Sequence, residues 1–357
     1  MLFGKTEFRQ IPPLAGVVGW KDLPIEECGE SLVPLGFFSD YPEILFDPIY
    51  YGMSSSSPYA VGQFNGSLIT PFVRSGVAER LVRAARTLPS GYMFMIWDAY
   101  RPVEVQKALF WWYVDEVLVG EKMMDRDAAI EAAQQFVSFP SDDPTRPAPH
   151  NTGGTVDLTL VRFEPENWKR MRHLGRALRS AKRRKDDLDE FEIEMERWAI
   201  LRGAAHPVDM GTVFDEVRRA TALCFFEEES RERNLTFLEQ RQLRSRRILY
   251  WAVAGVGLSA YPAEWWHFDV GNQFDSVRTG RPAFYGAAEF SNTNEEHEEM
   301  MRMVFEGCTS ATDGLPHPRQ RQNLKIAVEH PLRRFVCDVV ARTGDLRVSV
   351  HPRVAIL

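Results

Sequence analysis

Eight histidines are spread over the 357 residues, and two of them have the surroundings that metal chemistry needs. His150 stands seven residues before Asp157 in HNTGGTVDLTL, with Gly153 and Gly154 between them. Glycine lets a backbone turn tightly and come close to a ligand, so a histidine on the turn and an aspartate on the following strand can converge. His267 lies in PAEWWHFDVG, three residues after Glu264. Two imidazoles and one carboxylate, from His150, Asp157 and His267, leave a zinc ion a fourth position for water. Glu264 has the chemistry of a general base for that water. In an uninterrupted strand, residues three apart point to opposite faces, so Glu264 and His267 share a site only if a turn or bulge falls at Trp265 and Trp266. The competing reading is an aromatic core strand whose Glu and His are merely salt-linked.

Other chemistries find no foothold. His297 and Glu298 begin like the HExxH motif of zinc proteases, but position 301 is methionine, so the second imidazole is missing. No serine-hydrolase elbow, phosphate-binding loop or dinucleotide fingerprint occurs. Cys28, Cys224, Cys308 and Cys337 form no CxxC pair, which argues against a cysteine-rich zinc site or a disulfide framework. A net charge of −7 points to neither nucleic acid nor an anionic membrane. No window approaches the ~18 apolar residues of a membrane span. No secretory signal is apparent at the amino terminus, and the expected location is the cytoplasm.

The elements that must position these residues follow from pattern and punctuation. Residues 1–40 are rich in proline and glycine and read as an irregular arm, and YYGMSSSSP (50–58) reads as a loop. Val77, Leu81, Val82, Ala85 and Leu88 share one helical face. YMFMIWDAYRP (92–102) reads as a strand, and Pro102 opens a helix over VEVQKALFWWYVDEVL. The loop 139–154 leads into a strand, TVDLTLV (155–161). From Pro165 to Pro207 the chain reads as helical. Nine of the seventeen residues in 169–185 are Lys or Arg, and seven of the eleven in 186–196 are Asp or Glu. That contrast predicts an antiparallel pair of helices with complementary charges and a solvated basic face. A helix over 234–254 precedes the strand-like SAYPAEWWHFDV, and some helix and a final strand, LRVSVHPRVAI, are expected beyond residue 275.

Four separated segments, WDAYRP (97–102), HNTGGTVDLTL (150–160), DMGTVFDE (209–216) and EWWHFD (264–269), resemble in order and character the zinc D-alanyl-D-alanine dipeptidases of the M15 metallopeptidase group. The resemblance covers roughly residues 45–275. It implies His150, Asp157 and His267 as zinc ligands, Glu264 as catalytic base, and Arg101 as stabiliser of the oxyanion and of the substrate. A fixed, always-charged guanidinium suits that role, with a merely structural ion pair to Asp98 as the alternative. Asp215 corresponds to the carboxylate that holds the substrate's ammonium group, with a helix cap as its alternative. Tyr50 corresponds to a tyrosine of that pocket, with Tyr51 as the other candidate. Two departures stand out: Ala148 replaces the family's serine, and Thr155 its alanine, so a changed pocket near His150 is expected.

The fold expected is therefore α+β, a central and mostly antiparallel sheet flanked by helices. An arm (1–44) precedes the zinc dipeptidase domain (45–275), which carries a helical insertion at about 164–207, and a carboxy-terminal extension (276–357) follows. The activity implied is hydrolysis of a dipeptide, D-Ala-D-Ala or a related D-configured one, with one Zn2+ per chain. Neither nucleic acid nor membrane is expected as partner, and a homo-oligomer is allowed. Two rivals remain: a hydrolase of another small peptide or amide, and a zinc-stabilised binding module acting through its insertions.

Overall fold

The computed structural model describes residues 6–288 except 38, 52–56, 60–63, 65, 69, 135–136 and 186. The expected final strand and the acidic cluster at 294–299 lie outside the described residues. In chain order the elements are β1 (Leu32–Pro34), β2 (Ile44–Phe46), β3 (Phe72–Arg74), α1 (Ser75–Ala85), β4 (Tyr92–Asp98), α2 (Val103–Trp112), α3 (Arg126–Ala133), β5 (Thr155–Arg162), α4 (Pro165–Arg184), α5 (Asp187–Ala204), β6 (His206–Pro207), α6 (Phe225–Glu232), α7 (Phe237–Ala254), β7 (Ser259–Ala260), β8 (His267–Asp269) and α8 (Gln273–Thr279).

The main sheet runs β2-β4-β5-β8-β7, with β6 beside β5. Only β2 and β4 pair in parallel. The other pairs are antiparallel, as the sequence reading expects. β5 is buried on both faces for seven of its eight residues. Its alternation sorts them: Val156, Leu158 and Leu160 fill one face, while Thr155, Asp157 and Thr159 fall on the other. A central strand with three buried polar residues on one face must satisfy them there.

Local chemistry explains the helices. α1 buries Val77, Ala78, Leu81 and Val82, one face of an amphipathic turn pattern. Pro165 opens α4 at a position where its missing N–H costs nothing, and Thr236 with Glu239 forms a capping box at the start of α7. The helix expected from Pro102 is α-helical only to Trp112 and continues as a π-helix over Tyr113–Glu121. That widening, frequent at functional sites, has no signature in hydrophobic periodicity.

α4 and α5 form the expected helical pair, with Leu174, Leu178, Ala181 and Ile193 as its apolar seam. Arg170 pairs with Glu196, Lys182 with Glu190 and Arg184 with Asp189. The exposed Arg184–Asp189 pair contributes at most about 1 kcal/mol, while Glu190 is buried beside Lys182, so the seam holds the hairpin and the charges fix its register. It docks on the chain before β2, where Arg197 donates to the Pro42 carbonyl (2.6 Å) and Lys182 meets Asp40 (3.3 Å).

Residues 25–30 and 283–288 clasp one another: Glu26 N donates to Ala283 O and Cys28 N to Phe284 O. Arg74 joins them to the loop before β5, donating to Thr152 O (2.8 Å) and Gly286 O (3.2 Å). The arm and the segment after α8 are therefore packed against the loop that carries His150.

Candidate active site

Strand register builds the site. Asp157, on β5, lies opposite Asp98 of β4 on one side and opposite His267 of β8 on the other. Directly opposed residues of antiparallel strands project to the same face, so the three side chains form a row across the sheet. His150 joins them from a 3-10 turn, Pro149–Thr152, closed by Gly153 in the left-handed region at φ 69°. The turn is pinned to the end of β4: Arg101 N donates to His150 O (3.1 Å), and His150 Nδ1 lies 2.8 Å from Ala99 O.

The break at the tryptophans that a shared site for Glu264 and His267 requires is present. β7 and β8 are joined by residues 261–266, closed by Tyr261 N donating to His267 O. Trp265 and Trp266 leave the sheet because each has its own apolar slot. Trp265 meets Trp97 edge-to-face, Trp266 packs at a tilt on Phe214, and Trp265 Nε1 donates to Thr212 Oγ1 (2.7 Å). This turn brings Glu264 to the same side as His267, with Oε2 3.6 Å from His267 Nδ1.

His150, Asp157 and His267 are all buried, and one potential ligand atom from each lies within 4.8 Å of the others. Asp157 sits between the imidazoles: Oδ2 is 3.2 Å from His150 Nε2 and Oδ1 is 3.2 Å from His267 Nδ1. A tetrahedron built with metal–ligand bonds of about 2.0–2.2 Å has edges of about 3.3–3.6 Å, so each imidazole nitrogen is about one such edge from a carboxylate oxygen of Asp157. Asp157 Oδ1 is buried without an aligned hydrogen bond despite its closeness to His267. Buried acceptors are almost always satisfied, so an unsatisfied carboxylate oxygen between two imidazoles fits a cation. The donor set, two nitrogens and one carboxylate, fits zinc.

The electrostatics separate the two carboxylates. Despite the cost of burial, the flanking imidazoles hold Asp157 well below the usual carboxylate range. Glu264 is pushed up to about 8, first by burial, with His267 pulling it down and Asp157 and Asp215 pushing it up. One carboxylate is fixed as an anion and the other is poised to exchange a proton near neutrality.

Arg101 is buried beside this row. Its Nε and an Nη both donate to Asp98 Oδ2 (2.9 and 2.6 Å), another Nη donates to Gln106 Oε1 (2.8 Å), and Tyr50 Oη accepts at 3.0 Å. The guanidinium is thus both ion-paired and only 4.0 Å from Asp157 Oδ2. The ion pair with Asp98 also turns the guanidinium toward the cluster. Tyr50 is buried and reaches Arg101, while Tyr51 is only half-buried.

Asp215 sits on a loop at φ 55°, a left-handed conformation that aspartate tolerates better than most residues. It caps no helix with its side chain; its carboxylate accepts from the Tyr59 hydroxyl. The ring of Tyr59 packs on Tyr50 and Trp112. Sequence reasoning missed Tyr59, which follows a serine-rich loop without periodicity; Gln106 was hidden on the buried face of α2. Buried Arg246 fixes the Asp215 loop, donating to the carbonyls of Met210, Ala220 and Ala222. Loss of surrounding water pushes Asp215 up to about 7, opposed by the Tyr59 hydrogen bond.

Thr155, which replaces the alanine of the resembling family, directs its hydroxyl to β8. Opposite Asp269 in register, it donates to Asp269 Oδ1 (2.8 Å), on the side of His267 away from Asp157. Ala148, the other departure, is buried at the start of the His150 turn.

The glycines of that turn offer a direct test. A Cβ on Gly154 would lie 2.5 Å from the Val270 carbonyl, a backbone atom held by the β5–β8 pairing. Gly154→Ala is expected to destabilise the protein by about 1–3 kcal/mol, as overpacked interiors do. Urea unfolding checks this, and an unchanged midpoint would show the turn to be more yielding than its contacts indicate.

A family model described as D-Ala-D-Ala dipeptidase, Peptidase M15, matches residues 198–284, the segment holding Asp215, Glu264 and His267. The D-alanyl-D-alanine dipeptidase of Synechocystis sp. is 26% identical over 266 residues, covering 70% of this chain and 86% of the relative. With the mixed sheet-and-helix fold, these similarities support a peptidase, one that over residues 198–284 is similar to the Peptidase M15, D-Ala-D-Ala dipeptidase family.

Proposed function

We propose that the protein is a zinc dipeptidase whose substrate is D-Ala-D-Ala or a closely related D-configured dipeptide, and that it acts in the cytoplasm. The observation that carries this reading is the buried His150, Asp157 and His267 cluster with Glu264 beside it. His150, Asp157 and His267 would hold the zinc, which when bound acidifies water and polarises a carbonyl. Glu264 accepts a proton from the attacking water and returns it to the leaving amine; a group titrating near neutrality performs both transfers. Arg101, held by Asp98 and Gln106, meets the charge that develops on the carbonyl oxygen without having to reorganise.

Asp215 would bind the substrate's free ammonium group. A carboxylate in a partly dehydrated pocket discriminates against longer peptides, whose corresponding nitrogen is an uncharged amide. Two consequences follow from its pKa of about 7. First, kcat/KM falls with two protons as the pH drops below 7, where Glu264 and Asp215 are both protonated, and in Asp215→Asn it is low throughout and falls with the Glu264 proton alone. Second, the folded-state pKa exceeds the unfolded one, so Asp215 opposes folding increasingly as pH rises from about 4 to 7. Asp215→Asn protein treated with chelator is therefore expected to melt higher than wild type at pH 8 and at an equal temperature near pH 4. Equal melting at both would mean that the carboxylate is not strained by its pocket.

The deciding experiment measures zinc by mass spectrometry and hydrolysis of D-Ala-D-Ala, L-Ala-L-Ala and N-acetyl-D-Ala-D-Ala by purified protein. One zinc per chain, cleavage of the free D-dipeptide and no cleavage of the acetylated one are expected. Cleavage of other amides alone would replace the substrate assignment. Bound zinc without cleavage of any of them would favour a binding module.

A further inference from the structure

We infer that Asp269 is the positioning residue for His267, and that Thr155 acts through Asp269 on metal retention rather than on substrate choice. The inference rests on the zinc reading above. His267 offers its two ring nitrogens to different surroundings. Nδ1 faces the cluster, 3.2 Å from Asp157 Oδ1 and 3.6 Å from Glu264 Oε2. Nε2 faces the other way, 3.1 Å from Asp269 Oδ1. A neutral imidazole has one proton, and whichever nitrogen keeps it cannot bind a metal.

Asp269 is completely buried and surrounded by donors. Thr155 Oγ1 and Asn272 Nδ2 each donate to its Oδ1 at 2.8 Å, and an Arg278 Nη donates to Oδ2 at 2.5 Å. Arg278 keeps Asp269 an anion, an acceptor without a proton of its own. The proton of His267 is therefore drawn to Nε2, and the Nδ1 lone pair is left directed at the cluster.

Thr155 closes this arrangement. Its hydroxyl accepts from Asn272 Nδ2 (2.8 Å) while donating to Asp269, so one side chain fixes both neighbours. Pairing places it opposite Asp269, next to the Asp157–His267 pair on β5 and β8. With alanine in its place, Asp269 would lose a donor and the Asn272 amide an acceptor. Residue 155 thus sets how firmly His267 is held, from a position behind the ligand.

The test uses full-length Asp269→Asn, Thr155→Val and Thr155→Ser, with zinc affinity measured by competition against a chromogenic chelator in the absence of substrate. Asp269→Asn is expected to raise the zinc Kd about 10–100-fold, the range for loss of a carboxylate behind a ligating histidine. Thr155→Val should raise it about fivefold, as loss of one hydrogen bond does, while Thr155→Ser restores it. The dipeptide KM at saturating zinc should stay within twofold in the Thr155 variants. Nitrogen NMR of the zinc-loaded wild type should place the His267 proton on Nε2. A Thr155→Val protein that is folded by circular dichroism and binds zinc within twofold of wild type would overturn the inference, whatever Asp269→Asn does. So would a proton on Nδ1. Failure of wild type to bind zinc sinks the zinc reading itself, whereas tight zinc in wild type and all variants sinks only this inference.

Discussion

Glu264→Gln protein is expected to keep its zinc and lose about 10²–10⁴-fold in turnover, the contribution of a positioned general base. Glutamine has nearly the same shape and can occupy the turn 261–266, but it cannot accept a proton. The carboxylate is not one of the three residues of the buried cluster, so metal content should remain at the wild-type level. Because substrate binding would rest on Asp215 and Arg101, KM should change little while kcat collapses. A second readout separates chemistry from folding. Glu264 titrates near 8 in the folded chain, well above the ordinary glutamate range. A raised carboxyl pKa disfavours the folded state above the unfolded pKa, so chelator-treated Glu264→Gln should be more stable than wild type at pH 8. Retained turnover with full zinc would remove Glu264 from the mechanism and leave proton transfer to another group.

Glu264 also illustrates what the sequence disclosed. The ligand types were legible because metal chemistry restricts them to few residues, and His150, Asp157 and His267 were identifiable on that ground together with the order of four motifs. The sheet and most helices were legible as well: alternation in TVDLTLV and the charge contrast of 169–196 are direct consequences of burial and pairing. The break in SAYPAEWWHFDV was legible only as a requirement of a shared site for Glu264 and His267; where Trp265 and Trp266 go is decided by their contacts with Trp97 and Phe214. Tyr59, Gln106 and the partners of Asp269 act through contacts between distant segments. Thr155 and Asp269 are 114 residues apart, and no local pattern announces such a pair. Thr155 was visible as a departure, yet its partner Asp269 was not, because the register of β5 against β8 decides it.

The second large effect concerns Arg101, where stability and catalysis are entangled and can be pulled apart. Arg101→Met removes a buried cation and leaves Asp98 as an uncompensated buried charge. Breaking a buried pair in this way costs about 3–5 kcal/mol, so the single variant should melt far below wild type. Adding Asp98→Asn removes the stranded charge, and the double variant should recover most of the loss, because a neutral pair no longer carries the desolvation penalty. Turnover should not recover with it. If Arg101 meets the developing oxyanion, the folded double variant remains about 10²–10³-fold below wild type at saturating dipeptide. Denaturant titration and steady-state kinetics on both variants give the two axes independently. A double variant with restored stability and near-normal kcat would show that Asp98 and Arg101 serve the fold alone. Asp98 also lies 3.1 Å from His150 Nδ1, so zinc content must be measured in the same samples. Full zinc with lost turnover in both variants assigns the defect to the guanidinium, the one group missing from both while the ligand row is intact.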